Sequence, residues 1–258
     1  MSKMDRKQHI MEAARRNGQV MVEGLAEDLG VSTHTIRRDI NQLCEESKLR
    51  RLRGGAVYLE EHVNLPYQAR AVLNFDAKTA IAQRVAELIP DGTTIFISIG
   101  TTPAIVAAAL AQKQSLTIIT NNLNAALALS ENQSNRIILP GGELRLPDRD
   151  ILGRAAVDIF SNYRADFAIY GVGGIDIDGS LLDFNVAEVQ MREQMRINAR
   201  RSILVADRTK FGRRTVAVGG TFNEADIAVI DGRPAPSFEP LLDSYPGQLI
   251  LAMEETDA

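Results

Sequence analysis

Tryptophan is absent from these 258 residues, cysteine occurs once, histidine three times, and aromatic residues make up 5%. A lone Cys44 excludes an intramolecular disulfide and a multi-cysteine metal site. Beside Leu43, it reads as a small buried thiol rather than a redox switch. His9, His34 and His62 stand in the N-terminal quarter without ligand spacing, which argues against a metal enzyme; no metal site and no cofactor are expected. No apolar run approaches the ~20 residues that cross a bilayer, and the opening MSKMDRKQHIM is polar. A soluble, cytoplasmic protein with no membrane partner is therefore expected.

The chain is 45% hydrophobic, enough to bury a core, and its length suits one small and one larger domain. The net charge of −4 hides an asymmetry, because residues 1–59 hold 11 basic against 8 acidic residues, a net of +3, leaving −7 for the rest. Overall acidity does not count against a nucleic-acid partner when the local charge is positive.

The positive part contains LAEDLGVSTHTIRR, residues 25–38. Two helices that cross tightly need a small residue in the first, a glycine in the turn and branched apolar residues behind the second; Ala26, Gly30, Val31 and Ile36 supply these in order. The unit reads as a helix-turn-helix. Ser32 can cap the second helix, while Thr35 stands where a capping box needs Glu or Gln. Ile36, Ile40 and Leu43 form one buried stripe, which leaves His34, Arg38 and Asn41 opposite and Arg37 on the flank, beside Ser32, Thr33 and Thr35 at the helix start. Arginine reads guanine and asparagine reads adenine in a major groove, although the same charges also suit a solvated helix.

KLRRLRGGAVYL follows, with Lys48, Arg50, Arg51 and Arg53 before a Gly54-Gly55 turn flanked by Leu49, Leu52, Ala56 and Val57. This predicts a short β-hairpin wing whose cations lie over phosphates, or else a plain solvated turn. Arg6 to Asn17, with Ile10, Ala13 and Ala14 at helical spacing, predicts a first helix under the motif.

The order helix, GVSTHTIRRDI, then LRRLRGGA resembles the DeoR family of bacterial transcriptional regulators. The resemblance continues through SIGTTP at 98–103, TNNLNAA at 120–126, LPGGELR at 139–145, GIDIDGSLLDF at 174–184 and DRTKFGR at 207–213. It implies a repressor of double-stranded operator DNA that forms a homo-oligomer, a dimer or tetramer. Its effector would be a small phosphorylated metabolite, with glycerol 3-phosphate the first choice and another sugar phosphate the alternative. Three positions depart from the family pattern: Met21 where a Ser or Thr cap is usual, Gly24 where an acidic residue is usual, and Arg53 where His commonly precedes the paired glycines.

The organisation predicted is a winged helix-turn-helix domain over residues 1–59, a linker over 60–74 that includes Pro66, and a mostly parallel α/β sensor domain over 75–258. Phe75 to Ile89 reads as an amphipathic helix; TIFISI, LTIIT, RIIL, DFAIY, SILVA, IAVI and QLIL read as strands between helices. Polar or glycine-rich turns follow these strands: Gly100-Thr101-Thr102, Asn121-Asn122, Gly141-Gly142-Glu143, Gly171 to Gly174 with Asp176, and Asp207 with Lys210. Ligands of open parallel sheets bind beyond the strands' carboxyl ends, so these turns can converge on one site, although glycine and asparagine also serve plain turn geometry. Pro103 fits the first turn of a helix and Thr102 its cap, so amides after Gly100 can hold a phosphate. Lys210 can add a cation and Asn121, Asn122 and Asp176 can take hydroxyls; alternatively Thr102 only caps its helix and Lys210 lies on the surface.

The family's sensor domain is similar to sugar-phosphate isomerases, so an isomerase-like enzyme is the rival reading, with Asp176, Asp178, Asp183 and Glu188 as bases on paper. Those isomerases place a Lys-Gly-Gly-Gly loop after their acidic segment, whereas IDGSLLDF follows Asp176 here. A sensor rather than an enzyme is therefore expected, with no catalytic residues.

Overall fold

The computed structural model describes residues 3–17, 19–45, 49–58 and 64–253. The chain divides into two compact units, Met1–Asn64 and Leu65–Ala258.

In the first unit, α1 (Lys3–Asn17), β1 (Gln19–Met21), α2 (Val22–Leu29), α3 (Thr33–Glu45), β2 (Leu49–Leu52) and β3 (Gly55–Tyr58) follow in order. Ile10, Ala14, Val20, Leu25, Ala26, Ile36, Ile40, Leu43, Leu49 and Ala56 form one apolar core, with Cys44 half-buried at its edge. Each fully buried Ile or Leu contributes about 1.5–3 kcal/mol, which holds α2 and α3 against α1. Gly30 ends α2 in the left-handed region at φ 60°, donating to Ala26 and Glu27, and Ser32 caps α3 by accepting from the Thr35 amide at 3.2 Å. Met21 offers α2 no side-chain cap, but the first amide of the helix, at Val22, donates to the Gly54 carbonyl at 2.8 Å. The wing thereby supplies what the sequence at Met21 lacks.

The wing sheet is antiparallel in the order β1-β3-β2, and its two-residue turn is Arg53-Gly54 rather than Gly54-Gly55. Gly54 takes φ 82°, while a Cβ on Gly55 would lie 2.0 Å from the Val20 carbonyl oxygen. The first glycine serves the turn; the second lets β1 and β3 approach.

The second unit begins with α4 (Tyr67–Val72), α5 (Phe75–Leu88), β4 (Thr94–Ile97), α6 (Thr101–Ala109), β5 (Thr117–Thr120), α7 (Leu123–Ser130) and β6 (Arg136–Ile138). The hairpin β7 (Leu144–Arg145) and β8 (Asp150–Ile151) follows, then α8 (Arg154–Ser161), β9 (Ala165–Tyr170), β10 (Gly174–Ile175), β11 (Ser180–Asp183), α9 (Val186–Ile197) and β12 (Ala199–Ala206). β13 (Ala217–Thr221), β14 (Ile227–Ile230), α10 (Glu239–Asp243) and β15 (Gln248–Leu251) complete it. Seven strands form a wholly parallel sheet in the order β15-β14-β12-β9-β4-β5-β6.

Successive strand residues alternate between two cores. Ile95, Ile97, Ile118, Ile169 and Ile203 meet Ile81 and Val85 of α5, Val106 of α6 and Leu129 of α7. Phe96, Ile119, Ala168 and Leu204 meet Phe160 of α8 and Met191 and Met195 of α9 on the opposite face. The chain builds outward through β4, β5 and β6, then crosses back to lay β9 on the other side of β4. The pair β4/β9 is thus the point where the direction of winding reverses, and a crevice opens there beyond the carboxyl ends.

The segment expected as a linker differs. Residues 67–72 form α4, which packs on α6, and Arg70 pairs with Asp148 and donates from Nε to the Leu65 carbonyl at 2.8 Å. Its six residues include none that is buried, so apolar periodicity had nothing to register; polar contacts hold it instead. Residues 65–74 therefore belong to the second unit, and residues 60–63 lie outside the described residues.

Candidate nucleic-acid interface and effector site

On α3 the buried stripe Ile36, Ile40 and Leu43 leaves Ser32, Thr33, His34, Arg37 and Arg38 exposed. Thr35 is half-buried, and Ser32 Oγ is occupied by the Thr35 amide and lies 2.9 Å from Thr35 Oγ1. Asn41 departs from the expected outward face: it is half-buried, and its Oδ1 is buried with no hydrogen-bond partner. Behind it, buried Asp39 pairs with Arg6 of α1, fixing α3 on its support. Arg51 and Arg53 are exposed on the wing, while Lys48 and the side chain of Arg50 lie outside the described residues.

In the second unit the loop after β4 carries the expected glycine. Gly100 takes φ 109° and is itself the residue that caps α6, so Thr102 is the second helical residue and not the cap. Thr101 and Thr102 are buried, their amides belong to the first turn and have no acceptor within the helix, and Pro103 forgoes no donor there. Two donors and the positive end of a nine-residue helix therefore face the crevice between β4 and β9. A Cβ on Gly171, just past β9, would lie 3.5 Å from Pro103 Cδ, in ordinary contact, so the exit of β9 packs against the first turn of α6.

Asn122 binds this loop in place. Its Nδ2 donates to the carbonyls of Ser98 and Gly100, both at 3.1 Å, and its Oδ1 accepts from the amides of Asn124 and Ala125, capping α7. The side chain expected to bind hydroxyls is fully engaged in holding β5 to the loop after β4. Asn121 is different: Nδ2 donates to the Ile151 carbonyl at 3.0 Å, while Oδ1 is buried without a partner.

On the other side of β9, Asp207 caps the turn Arg208–Lys210 and also accepts from Nδ2 of Asn74 at 3.1 Å. Lys210 is half-buried and near enough to Asp183 for its charge to favour that carboxylate. Asp183 accepts from the Gly173 amide at 2.8 Å and from Arg192 Nε at 3.1 Å. Burial pushes its pKa up, against the opposing pull of Arg192, the Gly173 amide and Lys210. Gly100, Thr101, Thr102, Asn121, Asn122 and Lys210 thus stand at the exits of β4, β5 and β12, at the same end of the sheet as the exit of β9, which lies between β12 and β4.

Two other expectations come out differently. Asp176 lies at the tip of the β10–β11 hairpin, its Oδ1 accepting from the Ile177 amide at 2.7 Å while its backbone pairs with Ser180 and Gly179. It is a turn residue, away from the hairpin base at Gly173 and Asp183. Gly141 and Gly142 are exposed after edge strand β6, and Gly142, at φ 138°, turns the chain into the β7–β8 hairpin.

That hairpin carries groups the sequence reading passed over. Arg145 donates from Nε and Nη2 to Asp150 at 2.8 and 2.7 Å, and from Nη2 to Glu188 Oε1 at 2.8 Å. Asp150 sits opposite Asn122 in an isolated bridge. Asp150 and Glu188 are both buried, and burial raises both pKa values, with Arg145 pulling each back. The Arg145 of LPGGELR stood beside the glycines as a visible signal. Glu188 and Asp183 were weighed only as isomerisation bases.

A winged helix-turn-helix followed by an open parallel α/β unit with an anion-ready helix terminus at its switch point defines a DNA-binding regulator with a sensor domain. The DeoR-like helix-turn-helix domain matches residues 6–62 and the DeoR C terminal sensor domain matches residues 73–232, and the chain belongs to the DeoR family. It is 42% identical over 251 residues to the glycerol-3-phosphate regulon repressor of Escherichia coli K12, covering 97% of this chain and 100% of that protein. The glycerol-3-phosphate regulon repressor of Haemophilus influenzae is 42% identical over 221 residues, 86% of each chain. Among solved structures, ribose 5-phosphate isomerase A from Methanocaldococcus jannaschii aligns with 54% of this chain and 55% of its own at 16% identity and a TM-score of 0.40.

Proposed function

We propose that this protein is a transcriptional repressor that sets α3 in the major groove of operator DNA and weakens its hold when glycerol 3-phosphate occupies the crevice of the second unit. Arg38 and Arg37, with His34 and Thr33, meet the groove, and Arg51 and Arg53 meet phosphates. The amides of Thr101 and Thr102, the Gly100 loop and Lys210 hold the effector's phosphate. The observation that carries this reading is the cradle of first-turn amides at the β4/β9 reversal, in a chain that begins with an exposed arginine-bearing recognition helix. The name and identity of the curated relatives point the effector toward glycerol 3-phosphate. No catalytic role is assigned: Asp176 is committed to a turn, and Asp183 and Glu188 to arginines. A symmetric oligomer suits two half-sites of DNA, and no helix among the described residues is long and apolar enough to cross a membrane, in keeping with a cytoplasmic regulator.

The test uses duplexes selected from a random pool by the protein itself, followed by anisotropy titration with and without glycerol 3-phosphate. The effector should weaken binding, and glycerol should not. Thr102→Asp places a carboxylate among the cradle amides and should abolish the response while DNA binding persists. A full response in a folded Thr102→Asp variant overturns the phosphate site.

A further inference from the structure

Polar groups follow one another around the exits of β5, β4, β9 and β12, and they are not evenly matched. Toward α6 the surplus is of donors: the amides of Thr101 and Thr102 at a helix terminus. On the opposite side the surplus is of acceptors. Glu188 is only 7% exposed, and Arg145 donates to its Oε1. Asn121 is fully buried, its Nδ2 is committed to the Ile151 carbonyl, and its Oδ1 has no donor. Asn121 and Glu188 come together through one hairpin: Asn121 binds β8 at Ile151, the adjacent Asp150 holds Arg145, and Arg145 holds Glu188. Asp183 is close enough to Glu188 to disfavour its charge, so the carboxylates share one region.

A buried acceptor without a donor is costly, and Asn121 Oδ1 is left so. A molecule with O–H groups completes it and can donate to the Glu188 carboxylate as well. What suits the α6 terminus is an anion rich in acceptor oxygens. A ligand bearing a phosphate at one end and free hydroxyls at the other satisfies both sides. A phosphorylated acid of the same length would bring a carboxylate, which has no proton to donate, against Glu188 and Asp183.

We propose that Glu188, with Asn121, is the specificity determinant of this site, selecting polyol phosphates by their hydroxyls and rejecting phosphorylated carboxylic acids. The assignment rests on the phosphate reading given above. Arg145 acts as a positioning residue, since Asp150 and Glu188 together fix its guanidinium and it fixes Glu188 in return.

Calorimetry on the full-length protein tests it with three probes: glycerol 3-phosphate, 3-phosphoglycerate, which differs by a carboxylate in place of the terminal CH₂OH, and inorganic phosphate. The wild type should bind glycerol 3-phosphate at least about tenfold more tightly than 3-phosphoglycerate. Glu188→Gln, in which Asp150 still holds Arg145, should lose about tenfold or more for glycerol 3-phosphate, narrow the gap to 3-phosphoglycerate and leave inorganic phosphate unchanged. Asn121→Leu should lower glycerol 3-phosphate affinity without touching phosphate. Wild-type affinity for glycerol 3-phosphate in Glu188→Gln, or equal wild-type affinity for the two organic phosphates, overturns this inference alone. An equal loss of inorganic phosphate also overturns it, because Glu188 would then be supporting the cradle. Binding of none of the three probes by the wild type overturns the phosphate reading and this inference together. The wild-type ranking decides the matter even where a variant fails to fold.

Discussion

Asn122 holds the carbonyl of Gly100 from 22 residues away, its Nδ2 at 3.1 Å, while the other end of the same amide caps α7. One side chain thus fixes the loop that presents the phosphate cradle and the helix that follows the next strand. Asn122→Ala removes a cap worth about 1 kcal/mol and two buried hydrogen bonds of about 1 kcal/mol each, so a loss of about 2–3 kcal/mol is expected in urea unfolding. Asn122→Asp keeps the cap acceptor but loses both donors. It should recover part of the stability and still bind inorganic phosphate more weakly than the wild type, because Gly100 is no longer tethered and a negative charge has been added.

The recognition helix and the wing should fail in different ways. Arg38→Ala removes an exposed side chain opposite the Ile36 and Leu43 stripe and should cost about 1–3 kcal/mol on the selected duplex, with little change on random DNA. Arg51→Ala and Arg53→Ala should weaken binding to both duplexes alike and each reduce the salt slope by about one unit. Asn41→Ala is expected to act partly through stability, since the residue is half-buried and its Oδ1 is buried without a partner. Anisotropy titrations at three salt concentrations separate these cases; indistinguishable salt slopes in the wing variants would sink the wing assignment.

Apolar periodicity made the seven strands of the parallel sheet readable, because each is a short run of branched residues between helices. It could not reveal β7, β8, β10, β11 or β13. These have only two to five residues and lie in antiparallel pairings set by turns and cross-strand partners. The donors of the site were legible for a similar reason: glycine, threonine and proline announce a helix terminus locally. Its acceptors were not, because Arg145 and Glu188 lie 43 residues apart and only the fold brings them to 2.8 Å. Asn122 and Asp176 show the converse, residues of the right chemistry that the backbone itself consumes.

The boundary of the second unit has a measurable consequence. A fragment starting at Leu65 retains Arg70, which pairs with Asp148 and whose carbonyl accepts from buried Lys78. A fragment starting at Ala71 removes this partner from both. The longer fragment should unfold cooperatively with a higher urea midpoint than the shorter one, by more than a surface ion pair alone provides, since pairs of that kind contribute about 0–1 kcal/mol. Equal midpoints would place residues 65–70 outside the folded unit.

Acid titration of the Leu65 fragment without effector should read the buried carboxylates directly. Burial raises the pKa of Asp150, Asp183 and Glu188, so in this range the folded state binds protons more tightly than the unfolded state. The sign follows: the stability these groups contribute is complete below the ordinary carboxylate range of about 4 and is lost as pH rises through their raised folded values. His9, His34 and His62 all precede residue 65, so no histidine obscures the window between pH 4 and neutrality. The urea midpoint should therefore rise as pH is lowered from neutrality toward the ordinary carboxylate range, opposite to the usual acid destabilisation of surface ion pairs. Glu188→Gln removes one of the responsible protons and should flatten that rise while leaving Asp150, Asp183 and Asp231, whose pKa burial also raises, to titrate. A midpoint that falls monotonically over the same range, or an unchanged slope in Glu188→Gln, would show that the paired arginines outweigh burial and hold these carboxylates ionised in the folded state.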